Sequence, residues 1–124
     1  MQKKPILAII DDDQSAREGM VELVNAGGFN AEAFESAADF LRSECASRAD
    51  CLITDVRMPG MSGIALLDHL RASGRIIPTI MITSFAKDAD RRHALAAGAI
   101  CYLSKPFDSN DLLRLIQTAL SSAP

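Results

Sequence analysis

The sequence carries no surplus of positive charge. Thirteen Lys and Arg stand against sixteen Asp and Glu, for a net charge of -3. Contact with nucleic-acid phosphates needs clustered Lys and Arg, so this domain is not expected to bind nucleic acid directly. Long apolar runs are missing too. None approaches the ~18 residues of a membrane span, and no basic-then-apolar leader opens the chain. The expectation is a cytoplasmic protein with no membrane partner. Cysteine is sparse: Cys45, Cys51 and Cys101 form an odd set with no C-x-x-C spacing. That argues against a disulfide framework or a soft-metal site. Cys51 and Cys101 lie inside apolar runs and read as small buried hydrophobes. His69 and His93 have no partner at ligand spacing. Repeats and low-complexity segments are also lacking.

What is present suits one domain over residues 1–124. The chain is 48% hydrophobic, so it is not disordered, and its length allows one real core. Pro5 to Ile10 reads as a first strand, apolar on both faces. Ser15 with Glu18 matches a capping box, and Asp13 competes as the cap of the same helix. That helix carries Ala16, Met20, Leu23 and Gly27 at helical spacing and stops at Gly27-Gly28. Phe29 to Phe34 is a weak second strand, and Ser36 with Asp39 opens a helix expected to run to about Cys45. Cys51 to Asp55 is a third strand, closed by Met58-Pro59-Gly60. Ile64, Leu67 and Leu70 mark the next helix, ended near Gly74. Ile76 to Thr83 holds a fourth strand. A helix over 88–97 follows, with a poor stripe of Ala interrupted by Arg91-Arg92-His93. Ile100 to Ser104 is a fifth strand. Asp108 and Asp111 open a last helix, with Leu112, Leu113, Ile116, Ala119 and Leu120 on one face. Residues 121–124 read as a frayed end or the start of a linker. Five alternations of strand and helix predict an α/β fold, a parallel five-stranded sheet with helices on both sides.

In such sheets ligands bind beyond the carboxyl ends of the strands. Those ends gather Asp11, Asp12, Asp13, Asp55, Thr83, Ser84 and Lys105. Taken alone, Asp55 reads as a loop cap, Lys105 as a solvated turn residue and Thr83 as a β-branched strand residue. Their convergence on one edge favours a common site. Packed carboxylates repel, at about 4 kcal/mol per pair at 4 Å and an effective dielectric of 20. A cation between them relieves this. The ligands on offer are oxygens: carboxylates, a backbone carbonyl near Arg57, and water. Few protein ligands and room for phosphate oxygens favour Mg²⁺ over Ca²⁺, with Mn²⁺ acceptable in its place. A carboxylate can attack phosphorus and form an aspartyl phosphate. Asp55, on the central strand, is the expected nucleophile. Asp11 and Asp12 are expected to hold the metal with it, and Lys105 and the Thr83 hydroxyl to bind phosphoryl oxygens.

These residues resemble a known family, the receiver domains of two-component response regulators. The likeness covers essentially the whole chain. It rests on I-I-D-D-D after the first strand, D-V-R-M-P-G-M-S-G from Asp55, I-T-S after the fourth strand and S-K-P-F near the end. The wording is similar to receivers of the nitrogen-fixation regulator type, which usually carry a LuxR-like helix-turn-helix output domain, absent here. The resemblance implies a flavodoxin-like fold with strand order 2-1-3-4-5. It implies Asp55 as phosphoacceptor, a sensor histidine kinase phosphohistidine as donor, and Mg²⁺ held by Asp11, Asp12, Asp55 and the Arg57 carbonyl. Thr83 and Lys105 would contact the phosphoryl group. Tyr102 would be the aromatic switch that turns inward when Thr83 moves, and the Lys105-Pro106 peptide is often cis in the family. Phosphorylation would then alter the face formed by the helix over 88–97, the fifth strand and the last helix. That change would control a homodimer or a DNA-binding output domain in transcription regulation. The chain would be a stoichiometric acceptor, not an enzyme acting on other substrates.

One departure is Ser84-Phe85 after Thr83, where many members have Gly or Ala and then a polar residue. Phe85 cannot orient a water, so a long-lived phosphoryl group is expected. Two other readings compete. A phosphorylation-independent interaction module usually lacks part of the acidic set or the Lys, and this chain has all of it. A metal-dependent phosphatase of similar topology wants a second Asp two residues after the first, where Arg57 stands.

Overall fold

The computed structural model describes residues 4–121. Five parallel strands form one sheet in the order β2-β1-β3-β4-β5. They are β1 (Ile6–Ile10), β2 (Asn30–Phe34), β3 (Cys51–Asp55), β4 (Thr79–Thr83) and β5 (Cys101–Ser104). The helices are α1 (Gln14–Ala26), α2 (Ala37–Arg42), α3 (Cys45–Arg48), α4 (Gly63–Ala72), α5 (Asp88–Ala96) and α6 (Ser109–Ser121). The expected flavodoxin-like architecture and strand order are both present.

Side chains alternate across the sheet and feed two layers of core. Leu7, Ile9, Cys51, Ile53, Ile80 and Ile82 face α1 and α6, where Val24, Leu112, Ile116 and Ala119 close over them. Ala8, Ile10 and Leu52 face the other way, onto Phe40, Leu66 and Leu70. Val24 is fully buried on α1, although the periodic positions picked from the sequence passed it by. Gly27 lets α1 come close to α6, since a Cβ there would lie 2.7 Å from Leu113 Cδ2. Burial pushes the Cys45 thiol to about 11 and the Cys51 thiol to about 12, as expected of buried hydrophobes. Cys101 is only half-buried.

Several boundaries differ from expectation. Asp13 caps α1 by accepting the Ser15 N–H at 3.3 Å, so the Asp and not the Ser15 box starts that helix. Ser36 caps α2 through the Asp39 N–H, as expected, but α2 stops at Arg42. Ser43 then turns extended, and its hydroxyl donates to the Phe40 carbonyl, so Cys45 belongs to the separate turn α3. Local Ser bonding to the backbone competes with helix continuation. The fourth strand begins at Thr79, after Pro78, and leaves Ile76 75% exposed. Pro78 supplies no N–H to a ladder. Asp108 does open α6, accepting the N–H groups of Asn110 and Asp111. The expectation for residues 122–124 lies outside the described residues.

Order reverses between β1 and β3, which are neighbours although β2 lies between them in sequence. That topological switch point opens a crevice at the carboxyl ends of β1 and β3. Ile10 pairs with Thr54 and Asp55 with Ile82. Asp11 and Asp55 thus leave adjacent strands at the same level, at the mouth of the crevice.

Candidate functional site

Each side chain of the pocket is placed by the end of an element. Asp11 follows β1 and is held on every side. Its Oδ1 accepts the Asp13 N–H at 2.9 Å, its Oδ2 lies 3.1 Å from Lys105 Nζ, and its carbonyl accepts from Arg17 Nη1 at 2.7 Å. Asp12 is exposed beside it, while Asp13 turns away to cap α1. Asp55 ends β3, and its Oδ1 accepts the Arg57 N–H at 3.2 Å. Its Oδ2 lies 3.8 Å from Lys105 Nζ. One carboxylate oxygen from each of Asp11, Asp12 and Asp55 lies within 4.8 Å of the others. The Lys105-Pro106 peptide that presents Lys105 is cis.

The backbone under Asp55 is closely packed. Gly63 opens α4 directly beneath it, and a Cβ there would lie 2.3 Å from the Asp55 carbonyl oxygen. Ser62 caps that helix through the Ala65 N–H. The motif after Asp55 therefore has a mechanical reason: Ser starts the helix and Gly lets its first turn touch the strand end.

Burial pushes the Asp55 carboxyl above the usual carboxylate range. The Arg57 N–H and the Lys105 ammonium pull it back, and the Asp11 and Asp12 charges push it further up. A carboxylate that is buried among like charges and open to an incoming cation fits a hard divalent ion. The donor set is all oxygen, which is what Mg²⁺ takes.

Thr83 ends β4 one position past Ile82, the strand partner of Asp55. It is buried, and its hydroxyl accepts the Phe85 N–H at 3.2 Å. Its carbonyl accepts the Lys105 N–H at 2.8 Å, so Thr83 and Lys105 are tied by backbone. Tyr102 packs against the cluster of Val56, Ile64, Leu67, Met81 and Ala94, and its hydroxyl accepts the Lys87 N–H at 3.4 Å. Asp11, Asp12, Asp55 and Lys105 thus come together. Thr83 stands behind them, and Tyr102 sits in the layer under α5. Two residues of the site were not foreseen in their present roles. Arg17 holds the Asp11 carbonyl, and the Arg57 guanidinium pairs with Asp90.

A doubly wound parallel sheet in this order, with an acidic pocket at its switch point, places the chain among the flavodoxin-like α/β domains. The response regulator receiver domain model matches residues 7–117, and the chain belongs to that family. It is 39% identical over 119 residues to the response regulator protein TodT of Pseudomonas putida, covering 96% of this chain and 52% of TodT. It is 32% identical over 123 residues to the transcriptional regulatory protein FixJ of Bradyrhizobium diazoefficiens, covering 99% of this chain and 60% of FixJ. Among solved structures, FixJ-N superposes with a TM-score of 0.89 at 31% identity, covering 100% of this chain and 98% of that one. The response regulator StyR gives 0.87 at 40% identity, covering 96% of this chain and 60% of that one. The chain spans about half the length of the TodT and TmoT relatives it matches. Among the described residues no helix is long and apolar enough to cross a membrane.

Proposed function

We propose that Asp55 accepts a phosphoryl group from a phosphohistidine on a sensor histidine kinase, and that the chain acts as a cytoplasmic switch. The observation that carries this reading is the convergence of three carboxylates within 4.8 Å with the Lys105 ammonium between two of them. An Asp55 oxygen attacks phosphorus in line with the P–N bond. That bond breaks, its electron pair stays on the imidazole nitrogen, and a new P–O bond forms. Arg57 N–H fixes the Asp55 carboxylate, so the attacking oxygen is oriented before the donor arrives. Lys105 gives a point charge to a phosphoryl oxygen, and the Thr83 hydroxyl, released from the Phe85 N–H, donates to another. Asp11, Asp12, Asp55 and the Arg57 carbonyl would hold Mg²⁺, or Mn²⁺, which neutralises the charge gathering on the phosphoryl oxygens.

The chain is a stoichiometric acceptor under this reading and turns over no external substrate. Phosphorylation adds charge at the sheet edge, and Thr83, Tyr102 and α5 pass the change to the face made by α5, β5 and α6. That face then governs a homodimer or a C-terminal DNA-binding domain in transcription regulation. The transcriptional regulatory protein FixJ, of which this chain covers 60%, supports that output. The test is acetyl phosphate with Mg²⁺, read by intact mass. One phosphoryl mass on the native protein and none on Asp55→Asn is expected. A label that persists on Asp55→Asn, or continuous release of phosphate from a simple ester, overturns the reading.

A further inference from the structure

Arg57 faces two ways. Its backbone N–H donates to Asp55 Oδ1, and its guanidinium Nη2 lies 2.7 Å from Asp90 Oδ2 in the first turn of α5. The ion pair is partly exposed on both sides, 48% for Arg57 and 25% for Asp90. One residue thus links the pocket to a helix that has few other attachments. Within α5 only Ala94 is buried, and Leu95 is 42% exposed. Lys87, the cap position, gives no side-chain bond to the helix start. The remaining polar ties are longer: the Tyr102 hydroxyl of β5 accepts the Lys87 N–H at 3.4 Å, and on the α4 side His93 Nε2 lies 3.7 Å from Asp68 Oδ2 and Arg71 Nη1 donates to the Ala96 carbonyl at 3.2 Å. The Arg57–Asp90 pair is the closest of these and sits at the amino end.

We propose that the Arg57 side chain is a lever between the pocket and α5. With Asp55 unmodified it pairs with Asp90 and pins the first turn of α5. An aspartyl phosphate at position 55 draws the guanidinium away and releases that turn. This rests on the reading of Asp55 as phosphoacceptor. The physical case is a competition between two anions for one cation. A phosphoryl group brings roughly -1.5 to -2 charge and three acceptor oxygens, against one charge on Asp90. Guanidinium matches phosphate geometry bidentately. A partly exposed ion pair is weak, so little is lost when Arg57 changes partner.

The experiment measures amide exchange of the α5 segment in the native protein, Asp90→Asn and Asp90→Glu. Each is run with and without acetyl phosphate and Mg²⁺, and intact mass reports the label. Unphosphorylated Asp90→Asn is expected to exchange roughly two- to fivefold faster in α5 than the native protein, the range an exposed pair supports. Asp90→Glu restores protection. Phosphorylation speeds α5 exchange in the native protein and adds little in Asp90→Asn, because the pin is already out. Equal protection in unphosphorylated Asp90→Asn and native protein overturns the lever. The same increment on phosphorylation in both proteins also overturns it, since a merely structural pair would add independently. Absence of any mass label sinks the phosphoacceptor reading and the release step with it, while fast α5 exchange in Asp90→Asn still upholds the pin.

Discussion

Replacing Asp55 by Asn is expected to stabilise the metal-free domain. Asp55 is mostly buried, with 14% of its side chain exposed. Oxygens of the Asp11 and Asp55 carboxylates lie within 4.8 Å of each other, so their repulsion is at least about 3.5 kcal/mol at an effective dielectric of 20. Attraction to Lys105 at 3.8 Å is about 4 kcal/mol on the same scale and nearly cancels it. Asp12 is exposed, and its repulsion is screened to about 1 kcal/mol. What remains is desolvation of the carboxylate, offset by a single N–H from Arg57, whose charge-assisted bond is worth about 1.5–3 kcal/mol. Asn keeps the acceptor oxygen and sheds the charge. We expect a gain of about 1–2 kcal/mol, or about 4–8 °C in melting temperature for a domain of this size. The assay is thermal unfolding in EDTA at pH 7. The Asp55 carboxyl is raised in the folded state, so its contribution is fully present below the ordinary carboxylate pKa. It is lost as pH rises through the folded value. The gap between Asn variant and native protein therefore closes as pH falls toward 4. Saturating Mg²⁺ also closes it, because a ligand at a hundred times its Kd stabilises the native site by about 2.7 kcal/mol. If Asp55→Asn melts at or below the native protein in EDTA at pH 7, the account of an electrostatically costly pocket is wrong.

Other perturbations follow from the same geometry. Lys105→Met leaves Asp11 Oδ2 and Asp55 Oδ2 without their cation and is expected to destabilise the metal-free domain by about 1–3 kcal/mol. It should also slow labelling by acetyl phosphate by about 100-fold or more, followed by intact mass against time. Gly63→Ala places a methyl into the Asp55 carbonyl and is expected to cost about 1–3 kcal/mol, read by urea unfolding. The phosphoryl group on the native protein is expected to outlast seconds in Mg²⁺, because Phe85, 70% exposed beside the pocket, offers no polar group to a water. Phe85→Asn should shorten that lifetime in a mass-resolved decay.

The strands and the pocket could be read from the chain because both rest on local signals, whereas the order of the strands came only from the family resemblance. Apolar runs mark strands, and charge at their ends marks the crevice. Asp11, Asp12, Asp55 and Lys105 meet because each ends or follows a strand, so placing the strands placed the residues. Contacts made by long side chains across the fold leave no such trace. Arg57 and Asp90 are 33 positions apart, and nothing in the spacing of either singles out the other. Arg17 reads as one more polar residue of an amphipathic helix until its guanidinium is seen on the Asp11 carbonyl. The break at Ser43 went unread because a serine is neutral in a helix pattern, and only its bond to the Phe40 carbonyl ends the turn. At Ile76 the reverse happened: hydrophobicity suggested strand, and Pro78 denied it a ladder.

The far end of α5 is fastened differently from its start. Arg71 lies along Gly98, whose φ of +108° ends the segment, and its guanidinium closes the Ala96 carbonyl. None of those groups touches the acidic crevice. Under the lever proposal α5 is a rod hinged at its tail and freed at its head, so residues 87–90 would sweep the widest arc and residues 96–98 the narrowest. Any macromolecule that senses the state of this domain through α5 gains most by gripping the loop around Phe85 and Lys87 and least by resting on the tail.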